Sequence, residues 1–290
     1  MKKKHPGLSM AGYVFLFLIG FGIYMYPFVA DRWNAYVDSQ MIADYQQVVV
    51  DNGPKEKYVP LFEAADEYNR SLYKLSDQMI VDNSENDAYS SLLNLGGNGI
   101  MGYIEIPKIQ INVPVLHYVT DDVLEEGIGH IPSSSLPVGG EKTRCVLTGH
   151  RGMPESKLFT DLDKLKDGDL FYLHVLDRDL AYEVCDIQTV LPYELDSLKF
   201  EDGKDLVTLI TCTPYGVNTH RLLVTGRRTE FDEKVKVQEN EKGQVVMAQS
   251  KFTPANGLVL GMVVMMVVFV TLSVVSGIRE RKRKRRVSKD

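Results

Sequence analysis

A mainly β domain held between two membrane-crossing helices is the architecture this sequence predicts. Three observations carry it. Seven short runs of strand character lie between residues 100 and 230, with little helical periodicity among them. Leu8–Ala30 and Gly257–Ile278 are uncharged stretches of 23 and 22 residues, each long enough to cross a hydrocarbon core of about 30 Å. Basic residues sit at the outer end of each: Lys2, Lys3 and Lys4 before the first, RERKRKRR directly after the second.

The first stretch reads as an uncleaved anchor. A signal peptide would have a shorter apolar core followed by a small-residue cleavage site, whereas Asp31-Arg32-Trp33 follows here. Lysines on one side and the basic cluster on the other place both ends in the cytoplasm under the positive-inside rule, leaving 31–256 outside. The expected organisation is a tail (1–7), a span (8–30), a helical stalk with a possible lid region (31–99) and a β domain (100–230). A linker (231–256), a second span (257–278) and a basic tail (279–290) follow.

Within the stalk, Tyr36, Met41, Ile42, Tyr45 and Val49, then Leu61, Ala64, Tyr68, Leu72 and Leu75, recur at helical spacing. Asn52-Gly53-Pro54 divides them into two helices. Residues 76–99 have loop composition, with a short helical possibility at Tyr89–Leu95. From Gly102 the texture changes. Gly102–Ile106 and Ile111–His117 are strands broken at Pro107-Lys108, and Asp121–Gly127 suits a short helix with acids in its first turn. Arg144–Thr148, Leu170–Val175, Leu180–Leu191, Leu206–Cys212 and Arg221–Arg227 add five more strands. Many short strands with few helices indicate a closed or sandwich-like β fold.

The net charge of −6 conceals an acidic centre. Residues 31–278 hold 22 basic and 37 acidic side chains, which argues against a nucleic-acid partner. Three cysteines, Cys145, Cys185 and Cys212, make no disulfide framework. No Cys, His and carboxylate grouping has ligand spacing, Asp161-Leu162-Asp163 lacks the rest of a calcium loop, and no phosphate-binding glycine motif occurs. Neither metal nor cofactor is expected.

Cys212 closes one strand run, and Arg221 opens the next after a turn containing Pro214, Gly216 and Asn218. If the runs pair, thiol and guanidinium share one end of a sheet. A fixed cation there favours the thiolate and can hold an oxyanion that develops in acyl transfer. Cys145 and Cys185 lie in apolar runs, as small buried residues do. Pattern alone leaves the base open among His117, His130, His150, His174 and His220. His220 adjoins Arg221, so alternation turns the two to opposite faces of a strand. His150 ends a strand run, at the kind of loop where functional residues are presented.

The segment TLITCTPYGVNTHRLLV (Thr208–Val224) resembles the sortase motif T-L-x-T-C with an arginine on the following strand, in the form found in class C sortases. TGHRG (Thr148–Gly152), GYIEIPKI, GIGHIPSSSLPVGG and KLFTDLDKLKDGD extend the resemblance from about Gly102 to Arg228. It implies an eight-stranded β-barrel with the site at the ends of its later strands. It also implies Cys212 as nucleophile, His150 as general acid and base, and Arg221 as the group that steadies the substrate carbonyl or oxyanion. Thr211 and Asn218 are supporting candidates for substrate binding, with structural roles in strand and turn equally open. Class C sortases carry an Asp-Pro-aromatic lid triplet. The nearest triplet here, Asp77-Gln78-Met79, lacks the proline and the ring, so Asp77 and Met79 are the lid candidates it offers, with a lid that is absent, weakly held or built differently as the alternatives.

The resemblance further implies cleavage of an LPxTG-like sorting signal between Thr and Gly. Transfer to a lysine amine of a pilin subunit would follow, catalysed by a bilayer-anchored enzyme. Alternatives are a housekeeping sortase that joins proteins to a cell-wall peptide amine, a thiol peptidase that passes the acyl group to water, and a bitopic scaffold with an inert β domain.

Overall fold

The computed structural model describes residues 10–74, 86–153, 155–194, 196–233 and 238. Asp77, Met79 and the second uncharged stretch lie outside the described residues. The β domain lies within one compact unit that begins at Phe28.

Eight strands close into a barrel: β1 (Ile100–Ile106), β2 (Ile111–His117), β3 (Ile128–His130), β4 (Thr143–Thr148), β5 (Leu170–Val175), β6 (Arg178–Val190), β7 (Asp205–Thr213) and β8 (His220–Thr229). Their order around the barrel is β1-β2-β3-β4-β7-β8-β6-β5. The β2–β3 and β4–β7 pairs are parallel, and all other pairs are antiparallel. Alternation along the strands sends Ile104, Ile106, Val113, Leu147, Phe171, Leu173, Val207, Leu209 and Val224 into one core. Closure leaves no open sheet edge.

Gly226 shows how tightly that core is filled. A Cβ there would sit 2.4 Å from Cε1 of Phe171, which is stacked on Tyr182, so β8 passes these rings only because the position has no side chain.

The sequence predicts seven of these strands and misses β3. Three residues are too few to show a period of two, and β3 is held by its neighbours, pairing Val115–Ile128 on one side and His130–Leu147 on the other. The connection that lets it run parallel to β2 contains α4 (Asp121–Glu126), capped by the Thr120 hydroxyl accepting from the Val123 amide.

N-terminal to the barrel, α1 (Met10–Asp51) runs unbroken through the first uncharged stretch and the first stalk segment, with Pro27 inside it. The sequence reading places a boundary at residue 30. Helical propensity is continuous across 31–35, and nothing there stops the helix. The apolar first stretch makes α1 the one helix, among the described residues, that is long and apolar enough to cross a membrane. The break at Asn52-Gly53-Pro54 is present, with Gly53 at φ +99°, and α2 (Val59–Lys74) follows.

Both stalk helices pack on the barrel. Tyr45 donates to the Met101 carbonyl and accepts from the Leu176 amide. Arg178 lies 3.5 Å over the Phe62 ring. The Asn69 side chain both donates to and accepts from the Leu136 backbone.

Asp38 on α1 is 7% exposed, and burial, with nearby Asp31, pushes its carboxyl up to about 7. An unfolded chain releases that proton near pH 4. Between these values the folded state holds a proton that the unfolded state has lost, so stability falls as pH rises from about 4 to about 7. Asp38→Asn is expected to flatten that decline. Thermal unfolding of both proteins across this pH interval checks it, and parallel profiles would contradict it.

Candidate active site

Cys212 and Arg221 are direct partners across the β7–β8 ladder. Residues so paired project from the same face with Cβ atoms about 5 Å apart. His220 pairs with Thr213 one step along and faces the other way, its Nδ1 2.9 Å from the Thr219 hydroxyl. The turn between the strands places Asn218 at φ +60°, with its amide donating to the Pro214 carbonyl. Arg221 Nη1 donates to the carbonyls of Asn218 and His220, 3.3 and 3.1 Å away. Its guanidinium is thereby held over its own turn. No carboxylate pairs with Arg221 among the described residues.

His150 leaves β4 at the same end of the barrel. β4 runs parallel to β7 with Thr148 opposite Ile210, two residues before His150 and Cys212 respectively. Beyond that pair the Gly149 amide donates to the Ile210 carbonyl at 3.1 Å, and the Thr211 hydroxyl donates to the Gly149 carbonyl at 2.8 Å. Thr211 is 1% exposed, so its hydroxyl serves to tie β7 to the loop that carries His150. Gly149 is itself forced: a Cβ there would lie 2.5 Å from Ile128 Cδ1 and 3.0 Å from the Phe159 ring.

On the far side a 3-10 turn at Leu158–Lys164 braces the same loop. The Phe159 amide donates to the His150 carbonyl at 3.1 Å, and the Thr160 hydroxyl accepts from the Gly152 amide at 3.0 Å. Arg151, next to His150, donates from Nη1 to the Thr213 hydroxyl at 2.9 Å and pairs through Nη2 with Asp163. Asn34 of α1 donates to the Glu155 carbonyl at 2.8 Å. The His150 loop is therefore gripped by β7, the 3-10 turn and α1.

The remaining candidates are committed elsewhere. Burial pushes the Cys145 thiol far above its ordinary range, and it also raises Cys185, which contacts the Thr225 carbonyl. Both thiols are poor nucleophiles as placed. His130 is fully enclosed: its Nδ1 accepts from the Tyr89 hydroxyl, its Nε2 donates to the Ser135 carbonyl, and burial lowers its pKa to about 3. His117 packs against Tyr89, with its ring nitrogens 2.9 and 2.8 Å from the Gly99 and Leu92 carbonyls. His174 is buried between Glu105 and Asp179. His150, half-buried, and His220 both lie at the thiol's end of the barrel, and His220 projects from the opposite face of β8 to Arg221. Among the described residues no group of three or more His, Cys, Asp or Glu could hold a metal ion.

Residues 104–229 match the sortase domain family. Sortase C1 of Streptococcus agalactiae superposes with a TM-score of 0.63 at 44% identity, covering 67% of this chain and 100% of that one. The chain belongs to the sortase family. Other solved sortases agree. Sortase C of Clostridium perfringens, determined with the C-terminal cell wall sorting motif, gives a TM-score of 0.57 at 44% identity over 67% of this chain and all of its own. Sortase C of Streptococcus pneumoniae gives 0.61 at 38% identity over 66% and 97%. Among curated relatives, sortase A of Bacillus anthracis is 31% identical over 127 residues, 44% of this chain and 59% of that protein. This chain thus spans somewhat over half the length of that relative.

Arg151 and Thr213 are what the sequence reading of this sortase overlooked. HRG and CTP show the residues side by side with the site, but nothing in either string reveals that a side-chain bond joins them.

Proposed function

We propose that this sortase is a membrane-anchored cysteine transpeptidase that polymerises pilin subunits. Cys212 facing Arg221, with His150 at the same barrel end, is the observation that supports it. Cys212, as thiolate, attacks the carbonyl carbon of the Thr-Gly bond in an LPxTG-like signal. Arg221 donates to the oxygen as it gains charge. The C–N bond then breaks, and His150, as imidazolium, gives its proton to the departing glycine amine. A thioester remains on Cys212. A lysine ε-amine of the next pilin attacks it, His150 takes the amine's proton, and the C–S bond breaks to return the thiolate. One amide replaces another, so the cycle needs no cofactor.

The pilin reading draws on the sortase C relatives, one of them solved with a sorting motif. The curated sortase A relatives favour a second reading, transfer to a cell-wall peptide amine. We place the catalytic domain outside the cell, with α1 as its anchor, the second uncharged stretch as another span and both termini in the cytoplasm. The full chain in detergent, given an LPxTG peptide, a pilin subunit and a cell-wall peptide amine together, separates the readings by product mass. A pilin-linked product is expected. Exclusive linkage to the cell-wall amine would support the second reading, and free acid alone would indicate a thiol peptidase.

A further inference from the structure

We infer that Arg151 is a positioning residue that sets His150 against Cys212, an assignment that rests on the transpeptidase reading above. Arg151 follows His150 directly, and its hydrogen-bond partner Thr213 follows Cys212 directly. The bond therefore joins, side chain to side chain, the two chain segments that present the acid–base group and the nucleophile. On β7, Cys212 and Thr213 project to opposite faces, so the Arg151–Thr213 contact sits behind the thiol without occupying the space a substrate needs.

The arrangement is a built one. The Arg151 side chain is only 7% exposed, and its Nε is buried without a hydrogen-bond partner among the described residues. Enclosing a guanidinium on those terms is costly, and a surface loop has no need of it for folding alone. Asp163, half exposed, holds the other end of the fork and anchors it to the 3-10 turn that also braces His150. A second contact points the same way. Gly152, at φ +80°, lies so close beneath Tyr215 that a Cβ would sit 2.9 Å from the ring, which packs the β7–β8 turn onto the same loop. Both residues after His150 thus reach across to the segment after Cys212.

Two readouts test this on the full chain in detergent. The first is kinetic, with Arg151→Met, Arg151→Lys and Thr213→Val. A misplacement of about 1 Å between reacting groups costs about 10²-fold in rate. Arg151→Met is therefore expected to lower kcat about 100-fold while KM for the peptide stays within about threefold. Arg151→Lys, which keeps one donor, should recover part of the loss. If Arg151 acts through Thr213, Arg151→Met combined with Thr213→Val should be little worse than Arg151→Met alone.

The second readout needs no substrate. In a His150→Cys protein, the rate of disulfide formation with Cys212, with oxidised glutathione as the oxidant and released as the reduced thiol, reports how closely the loop and strand approach. Adding Arg151→Met is expected to slow it about tenfold or more, because the bond forms only within a narrow Cα separation. Thr213→Val supplies the same comparison if the methionine variant fails to fold. An unchanged disulfide rate, or an unchanged kcat in a folded variant, would overturn the proposal. A wild-type protein inactive on the peptide would count against the transpeptidase reading, while the disulfide rate would still decide whether Arg151 positions the loop.

Discussion

Cys212→Ala is expected to remove transpeptidation, with a fall of about 10⁴–10⁶-fold, the scale seen when a covalent nucleophile is deleted. The loss should appear in kcat while peptide binding persists, since Arg221 and the rest of the site remain. Cys145→Ala and Cys185→Ala should leave turnover within a small factor, because burial holds both thiols protonated and away from this end of the barrel. Progress curves of peptide consumption for the three variants check the contrast. Residual turnover in Cys212→Ala that depends on Cys185 would contradict the assignment.

Arg221→Lys is expected to cost about 10²–10³-fold, although the charge is kept. Losing one oxyanion donor has that scale, and an ammonium cannot reproduce the planar fork that reaches both the turn carbonyls and a substrate oxygen. Directly opposite Cys212 in the ladder, the guanidinium holds the Asn218 and His220 carbonyls through Nη1, and its Nη2 is the donor for a bound carbonyl. Steady-state kinetics should show the loss mainly in kcat. A change confined to KM would instead make Arg221 a binding group for the ground state.

The barrel was legible where strands were long enough to show alternation. β7 and β8 announced themselves through an apolar run, a turn rich in Pro, Gly and Asn, and a second apolar run. β3 was not legible, because its three residues are strand only through pairing with β2 and β4. Hydropathy changes at residue 30 while the helix continues to Asp51, so the apolar pattern marks the uncharged stretch and not the helix end. In the candidate site, parity on β8 already separated Arg221 from His220, and the ladder shows the physical basis in the Cys212–Arg221 and Thr213–His220 pairs. Choosing His150 among five histidines needed the resemblance. Spacing cannot show that β4 and β7, about 60 residues apart in the chain, run side by side and deliver it to the thiol's end.

Thr211 illustrates the limit of reading side chains singly. As a string element it stands beside Cys212 and leaves substrate contact and a structural role equally open; in the structure its hydroxyl donates to the Gly149 carbonyl. Arg151 is the converse case, unremarkable as a charge in a loop and buried in the structure against Thr213 and Asp163.

The most direct test of the account is the intact mass of the full-length protein shortly after mixing with an LPxTG-type peptide, before any amine acceptor is added. The account predicts an adduct equal to the peptide's acyl portion up to threonine, mapped to Cys212, absent from Cys212→Ala and discharged when a pilin subunit is supplied. Peptide consumed without an adduct on Cys212, or an adduct on another residue, would contradict it.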